Sequence, residues 1–448
     1  MKIVIAGAGE VGSHLAKLLS REEQDIVLID NDPAKLSNLD ANYNLMTREG
    51  SCTSFADLRA AGVNADCDLY IAVSPFENTN IVSCEIAKRL GARKTVARID
   101  NYEFLDKENR AHFTSMGVDH LIYPEMLAAS EICTALGKPW VRNWFELHDG
   151  ELIVVGVKLP HHASLVGKRL RDITYGQHHY HVSAIKRRHE TIIPRGDDTV
   201  LEGDIMYFTT TRDYVDEIRE ICGKTDYKIR NVMIMGGTHI AVRLANMVKG
   251  RWNLTIIDND MDICRRLPEK CSGCGDVHII HGDARNNELL AEEGITDMDA
   301  FVALTEYSET NILACLTAKE FHVNKTIAEV ENIQFISEAE NLNIGTVINK
   351  KLLASSKIFQ LLLDADESSS KFMALADAEV AEIEARPGSK ITKAPVMNLK
   401  LFHEMTLAGL IRDGKGMLVD GRTQIQAGDH VVVFCLSGHI HKVEKLFV

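Results

Sequence analysis

The feature that most constrains this chain is that it contains one unit twice. The run LIDND at Leu28 to Asp32 returns as IIDND at Ile256 to Asp260. DLYIAVSPFENTNI (Asp68 to Ile81) returns as DAFVALTEYSETNI (Asp299 to Ile312). KRLGARKTVARIDN from Lys88 matches KEFHVNKTIAEVEN from Lys319, and LAASEI from Leu127 matches LASSKI from Leu353. The segments keep their order and the offset drifts only between about 225 and 231 residues, so both halves must fold alike.

Each half divides in two. In the first, KIVIAGAG, DIVLID, DLYIAVS, KTVARI and DHLIYP are short apolar runs separated by helical stretches, such as Thr79 to Leu90. Strand–helix alternation of this kind predicts a parallel, doubly wound sheet. From about Trp144 the pattern changes to ELIVVGVKL, HVSAIKRR, ETIIPRG and DIMYFTTT, with turn signals at Pro194-Arg195-Gly196 and Glu202-Gly203-Asp204. The expected fold is α/β: two tandem Rossmann-like doubly wound sheets, each followed by a small β-rich α+β domain. The expected boundaries are 1–140, 141–226, 227–364 and 365–448, with the polar stretch Asp364 to Ser370 as a linker.

Composition narrows the function. The net charge is −14, from 64 acidic and 50 basic residues, which provides no basic face for nucleic acid. Lys186-Arg187-Arg188 reads as a solvated strand end. No apolar run approaches the ~20 residues that cross a bilayer. The opening MKIVIAGAGEVG runs straight into a strand and so does not read as a signal peptide. Cysteines such as Cys84, Cys315 and Cys435 lie inside apolar runs, which suits a reducing cytoplasm. Any membrane role is then expected to come through a membrane partner.

Gly7-Ala8-Gly9-Glu10-Val11-Gly12 follows one strand and opens a helix. Such glycines allow a tight turn, close approach to a pyrophosphate and close helix–strand packing. The helix N-terminus offers N–H donors and partial positive charge to phosphate. Asp30, at the end of the second strand, is placed to accept bonds from both ribose hydroxyls and to repel a 2′-phosphate, so NAD(H) is favoured over NADP(H). Val73 and Ser74 end the fourth strand, Arg98 ends the fifth, and Cys52 lies after the third. All should border a ligand at the carboxyl edge. Arg98 is placed either to face phosphate or to pair with a carboxylate. The second copy keeps Asp258 behind Gly236-Gly237, but has Thr238 at the position of the second glycine and Glu329 at the position of Arg98. A crowded loop and a repelling charge predict an altered or degenerate site there.

Other clusters read more plainly. Cys271-x-x-Cys274, near Cys264, His278 and His281, has zinc-like spacing but contains a single CxxC, and reads as a turn. His178-His179-Tyr180-His181 reads as a strand with some histidines facing solvent. No Ser/His/Asp or Cys/His arrangement stands out as catalytic, and no metal site is expected.

GAGEVG, LIDND, the TNI-bearing helices at Thr79 and Thr310, the KT-x-A strands at Lys94 and Lys325 and the GD turns at Gly203 and Gly428 occur here in tandem. In this the chain resembles, over essentially its whole length, the TrkA-type peripheral subunits of bacterial Trk potassium-uptake systems. Its parts look like the nucleotide-binding and C-terminal domains of regulators of potassium conductance. The resemblance implies that Gly7 to Val11, Asp30, Val73, Ser74 and Arg98 hold NAD or another adenine nucleotide. It also implies a homo-oligomeric ring, a dimer or tetramer, beneath an integral-membrane potassium transporter. Some ATP-responsive relatives carry arginine in the glycine loop where this chain has Glu10, so NAD(H) is the expected ligand ahead of ATP or ADP. The competing classes are an NAD-dependent oxidoreductase, which would need a substrate domain with an acid or base, and a regulator of another cation carrier, such as a potassium efflux antiporter.

Overall fold

The computed structural model describes all residues except 21–23, 41–42, 175–178, 189, 364–370, 376–377 and 437. The expected linker at Asp364 to Ser370, and His178, lie outside the described residues.

Six strands form the first sheet: β1 (Lys2–Ala6), β2 (Asp25–Asp30), β3 (Met46–Glu49), β4 (Leu69–Ala72), β5 (Lys94–Arg98) and β6 (His120–Ile122). Their order is β3-β2-β1-β4-β5-β6, with every pairing parallel. Ile3, Val4, Ile5 and Ala6 have no exposed surface, as expected of a central strand covered by helices on both faces. The helix Glu10–Ser20 buries Val11, Leu15 and Leu19, a stripe at four-residue spacing that seats it on the sheet. The strand order reverses between β1 and β4, which opens a crevice at their carboxyl ends.

The five strands that follow are antiparallel: β7 (Asn143–Leu147), β8 (Leu152–Lys158), β9 (Tyr180–Arg187), β10 (Glu190–Ile192) and β11 (Ile205–Thr210), in the order β10-β9-β11-β8-β7. The second half repeats both sheets. β12 (Asn231–Met235), β13 (Asn253–Asp258), β14 (Val277–His281), β15 (Ala300–Ala303), β16 (Lys325–Glu329) and β17 (Thr346–Ile348) are ordered β14-β13-β12-β15-β16-β17. β18 (Lys371–Leu375), β19 (Ala378–Glu384), β20 (Met405–Arg412), β21 (Lys415–Leu418) and β22 (His430–Leu436) are ordered β18-β19-β22-β20-β21. The fold is therefore two Rossmann-like parallel sheets, each followed by an antiparallel sheet.

The chain does not group simply by halves. One compact unit holds Met1–Leu127 together with the helix Lys350–Leu363, which follows the last strand of the second Rossmann sheet. That helix packs along Glu10–Ser20. The other unit holds Ala128–Asn349 and the last antiparallel sheet.

Within this second unit the two antiparallel sheets share a core. Leu152, Val154, Ala184 and Tyr207 of one pack against Val380, Ala408, Val432 and Phe434 of the other. His181 Nε2 and Thr406 Oγ1 lie 3.0 Å apart. These two residues are repeat equivalents, so the contact is that of a pseudo-two-fold axis. Arg187 forks onto Asp204 at 2.9 and 2.7 Å, and Arg412 forks onto Asp429 at 2.8 and 2.6 Å. The two GD turns thus supply buried carboxylates that hold the strand ends. These contacts correct the reading of Lys186-Arg187-Arg188 as solvated for its first two residues, since Lys186 pairs with Glu340 and Arg187 with Asp204, while Arg188 is exposed. Of the histidine run, His179 stacks on Tyr214 with ring centroids 4.0 Å apart, and burial pushes the His181 imidazole down to about 4.

Candidate functional site

In the first Rossmann domain the glycine loop is shaped by close backbone contacts. Gly7 adopts φ +107°, and a Cβ there would lie 2.9 Å from the Ser74 nitrogen. At Gly12 a Cβ would fall 1.8 Å from the Gly7 carbonyl oxygen and 3.3 Å from Val73 Cγ2. Both positions therefore require glycine, and together they tie the loop to the end of β4. Gly9 differs, because a Cβ there would meet nothing within 4 Å. That open space lies beside the N-terminus of the helix Glu10–Ser20, where a phosphate is favoured.

Asp30 faces the same loop. Its Oδ2 accepts the Ala8 N–H at 2.6 Å and its Oδ1 accepts the Asp32 N–H at 2.9 Å. A carboxylate has about four lone-pair positions, so two stay available for ribose hydroxyls. Cys52 lies near enough to Asp30 to feel its charge, and burial pushes its thiol up from the ordinary range.

Asn80, the asparagine of the first TNI run, ties the strand ends together. Its Oδ1 accepts the Ser74 N–H, and its Nδ2 donates to the Ser74 and Arg98 carbonyls, all at 2.9 Å. The repeated TNI motif could have identified this residue from sequence. Arg98 resolves toward a carboxylate, because one of its terminal nitrogens donates to Asp100 at 3.0 Å. Its Nε is nevertheless buried without an acceptor among the described residues. A buried guanidinium donor with no acceptor is costly, and an anion at this edge would satisfy it. Glu10 Oε2 receives a bond from Lys351 of the helix Lys350–Leu363.

The second copy repeats this frame with changed contents. Gly237 N–H donates to Asp258 Oδ2 at 2.6 Å, and Asn311 bridges Thr305 and the Glu329 carbonyl as Asn80 does in the first. Gly236 keeps φ +101°. A Cβ at Gly237 would lie 2.7 Å from Ile263 Cγ2 and 2.8 Å from Leu267 Cδ1, so the helix Met261–Lys270 lies close against the loop. Thr238 Oγ1 is buried and unpartnered among the described residues. Glu329 is 3% exposed. A cavity of about 190 Å³ opens at this edge, lined by Gly236, Asp258, Arg285, Thr305 and Tyr307 among others.

Cys271 and Cys274 lie in the turn after the helix Met261–Lys270, both buried, with Cys264 hydrogen-bonded to backbone carbonyls. Among the described residues no group of three or more His, Cys, Asp or Glu is placed to hold a metal ion. Among the same residues no helix is long and apolar enough to cross a membrane.

Comparison with known proteins agrees with this architecture. Residues 3–124 and 232–350 match the TrkA-N domain, and residues 154–223 and 380–448 match the TrkA-C domain. A Trk system potassium uptake protein TrkA of Halomonas elongata is 28% identical over 454 residues, covering 100% of this chain and 98% of its own. A TrkA homolog of Methanosarcina mazei is 29% identical, with 100% of both chains covered. Among solved structures, the GsuK RCK domain superposes with a TM-score of 0.60 at 15% identity, covering 100% of this chain and 94% of that one. The GsuK channel bound to NAD superposes with a TM-score of 0.59 at 14% identity, covering 100% of this chain and 78% of that one. At such identity these two likenesses speak for the fold alone. The chain belongs to the family of proteins assembled from TrkA-N and TrkA-C domains, with that pair of domains present twice.

Proposed function

We propose that this chain is a cytoplasmic, nucleotide-sensing regulatory subunit, peripheral at the inner face of the plasma membrane, that gates an integral-membrane potassium transporter. The observation that carries the ligand half is the first-copy edge: open space at Gly9, lone pairs left on Asp30, and a buried Arg98 Nε without an acceptor. These features fit a dinucleotide such as NAD(H), with ADP or ATP as the alternative adenine ligands. Gly7, Ala8, Gly9, Glu10, Val11 and Gly12 would face its pyrophosphate and Asp30 its ribose. Cys52, Val73, Ser74 and Arg98 would line the remainder. Gly236, Gly237 and Asp258 form the weaker second site. Full-length relatives named for potassium uptake support the transport half.

In this reading the nucleotide takes part in no reaction. Its binding energy biases conformation, which requires different affinity for two states of the protein. The oxidoreductase reading is less well supported, because the repeated domain pair occupies most of both halves. The test is potassium or rubidium uptake in cells lacking the chain's gene. Wild-type protein should restore regulated uptake, and Gly9→Trp, which fills open space, should restore protein but not regulation. Equal uptake with and without the wild-type gene would overturn the transport role. Steady NADH consumption by the pure protein with a metabolite, lost in Gly9→Trp, would restore the enzyme reading.

A further inference from the structure

The helix Lys350–Leu363 is encoded at the end of the second Rossmann segment, yet it lies in the compact unit of the first. It packs along the helix Glu10–Ser20, with its own first turn at the glycine-loop end. Lys351 Nζ donates there to Glu10 Oε2, and Lys350 Nζ stands 3.7 Å from Glu125 Oε1. The Lys351 side chain is 19% exposed and that of Glu10 65%. The cation is therefore held in the protein while its partner carboxylate reaches toward solvent.

Glu10 is the first residue of its helix and follows Gly9 directly. A carboxylate at a helix N-terminus is favourable when no anion is bound. It becomes unfavourable when a diphosphate occupies the same N-terminus, because like charges then share one small volume. An ammonium group resolves the conflict. Its N–H donors can exchange the Glu10 carboxylate for a phosphate oxygen.

From this geometry we propose that Lys351 is a phosphate-binding residue of the first-copy site, supplied by the second half of the chain and parked on Glu10 until a ligand arrives. The ligand class is a nucleoside diphosphate, free or as part of a dinucleotide. Lys351 reads the diphosphate charge, and the helix that carries it is tied to whether that charge is present. The inference rests on the nucleotide-site reading above. It adds a reason why a glycine loop bearing a carboxylate can still take a diphosphate.

The test is calorimetric titration of the full-length protein with ADP, NADH and adenosine, at two salt concentrations. Lys351→Met should weaken ADP and NADH about tenfold and leave adenosine unchanged, as the loss of one charge-assisted bond to phosphate requires. The salt dependence of ADP binding should fall with it, and Lys351→Arg should restore most of the affinity. Unchanged ADP and NADH binding in Lys351→Met, with Gly9→Trp abolishing both, would overturn the inference and leave the site assignment standing. Equal weakening of ADP and adenosine would also overturn it, by showing that Lys351 only supports the helix. Wild-type protein that binds neither ADP nor NADH, or Gly9→Trp that binds both normally, would instead remove the site assignment and the inference together.

Discussion

A single carboxylate organises each glycine loop. Asp30 and Asp258 both accept an N–H from the loop at 2.6 Å and a second from two residues downstream. The loop is thus preorganised before any ligand arrives, and the aspartate still has lone pairs to offer. Removing Asp30 should strand two N–H donors and delete the proposed ribose contacts. We expect Asp30→Ala to weaken NAD(H) binding by about 1.5–3 kcal/mol, the range for hydrogen bonds to a charged group. Asp258→Ala should matter less, because Thr238 and the inward-pressing Ile263 and Leu267 crowd the second loop. Calorimetry on the two variants checks this order, and loss of binding in Asp258→Ala alone would reverse it. Glycine positions and strand-end acids are legible in sequence because their geometry is set by neighbours a few residues away. Lys351 was not, since its partner Glu10 is 341 residues distant and only the folded chain brings them together.

At the scale of elements, repetition made both parallel sheets and both antiparallel sheets readable, since each run of alternating or apolar residues appears twice. What periodicity hides is which surfaces meet. A sheet face reads as apolar whether it meets a helix or another sheet, so the shared core of the two small sheets had no sequence signature. The same holds for His181, which stands in a polar-looking run yet is pushed down to about 4 by burial. The unfolded imidazole titrates near 6.5, so between about 4 and 6.5 the unfolded chain holds a proton that the folded chain does not. The stability that His181 contributes is complete above pH 6.5 and is lost as pH falls toward 4. Urea midpoints at pH 7.5 and 5.0 should therefore converge more closely in His181→Gln than in the wild type. Parallel losses in the two proteins would assign the acid sensitivity to other groups.

For the whole molecule, duplication places two Rossmann domains and two small domains on one polypeptide, so a ring of such domains needs fewer chains. We expect a homo-oligomer, a dimer or tetramer. Shifting a two-state assembly from about 1:99 to 99:1 takes roughly 10⁴-fold tighter binding to the favoured state, and a few kcal/mol of differential affinity already moves it a hundredfold. In the proposed mechanism a nucleotide at the first-copy edge supplies this difference. Small-angle scattering of the purified protein, with and without saturating NAD(H), tests it most directly. The protein should be an oligomer whose profile changes on adding nucleotide, with no change in Gly9→Trp. A strict monomer, or superimposable profiles for the wild-type protein with and without saturating nucleotide, would contradict it.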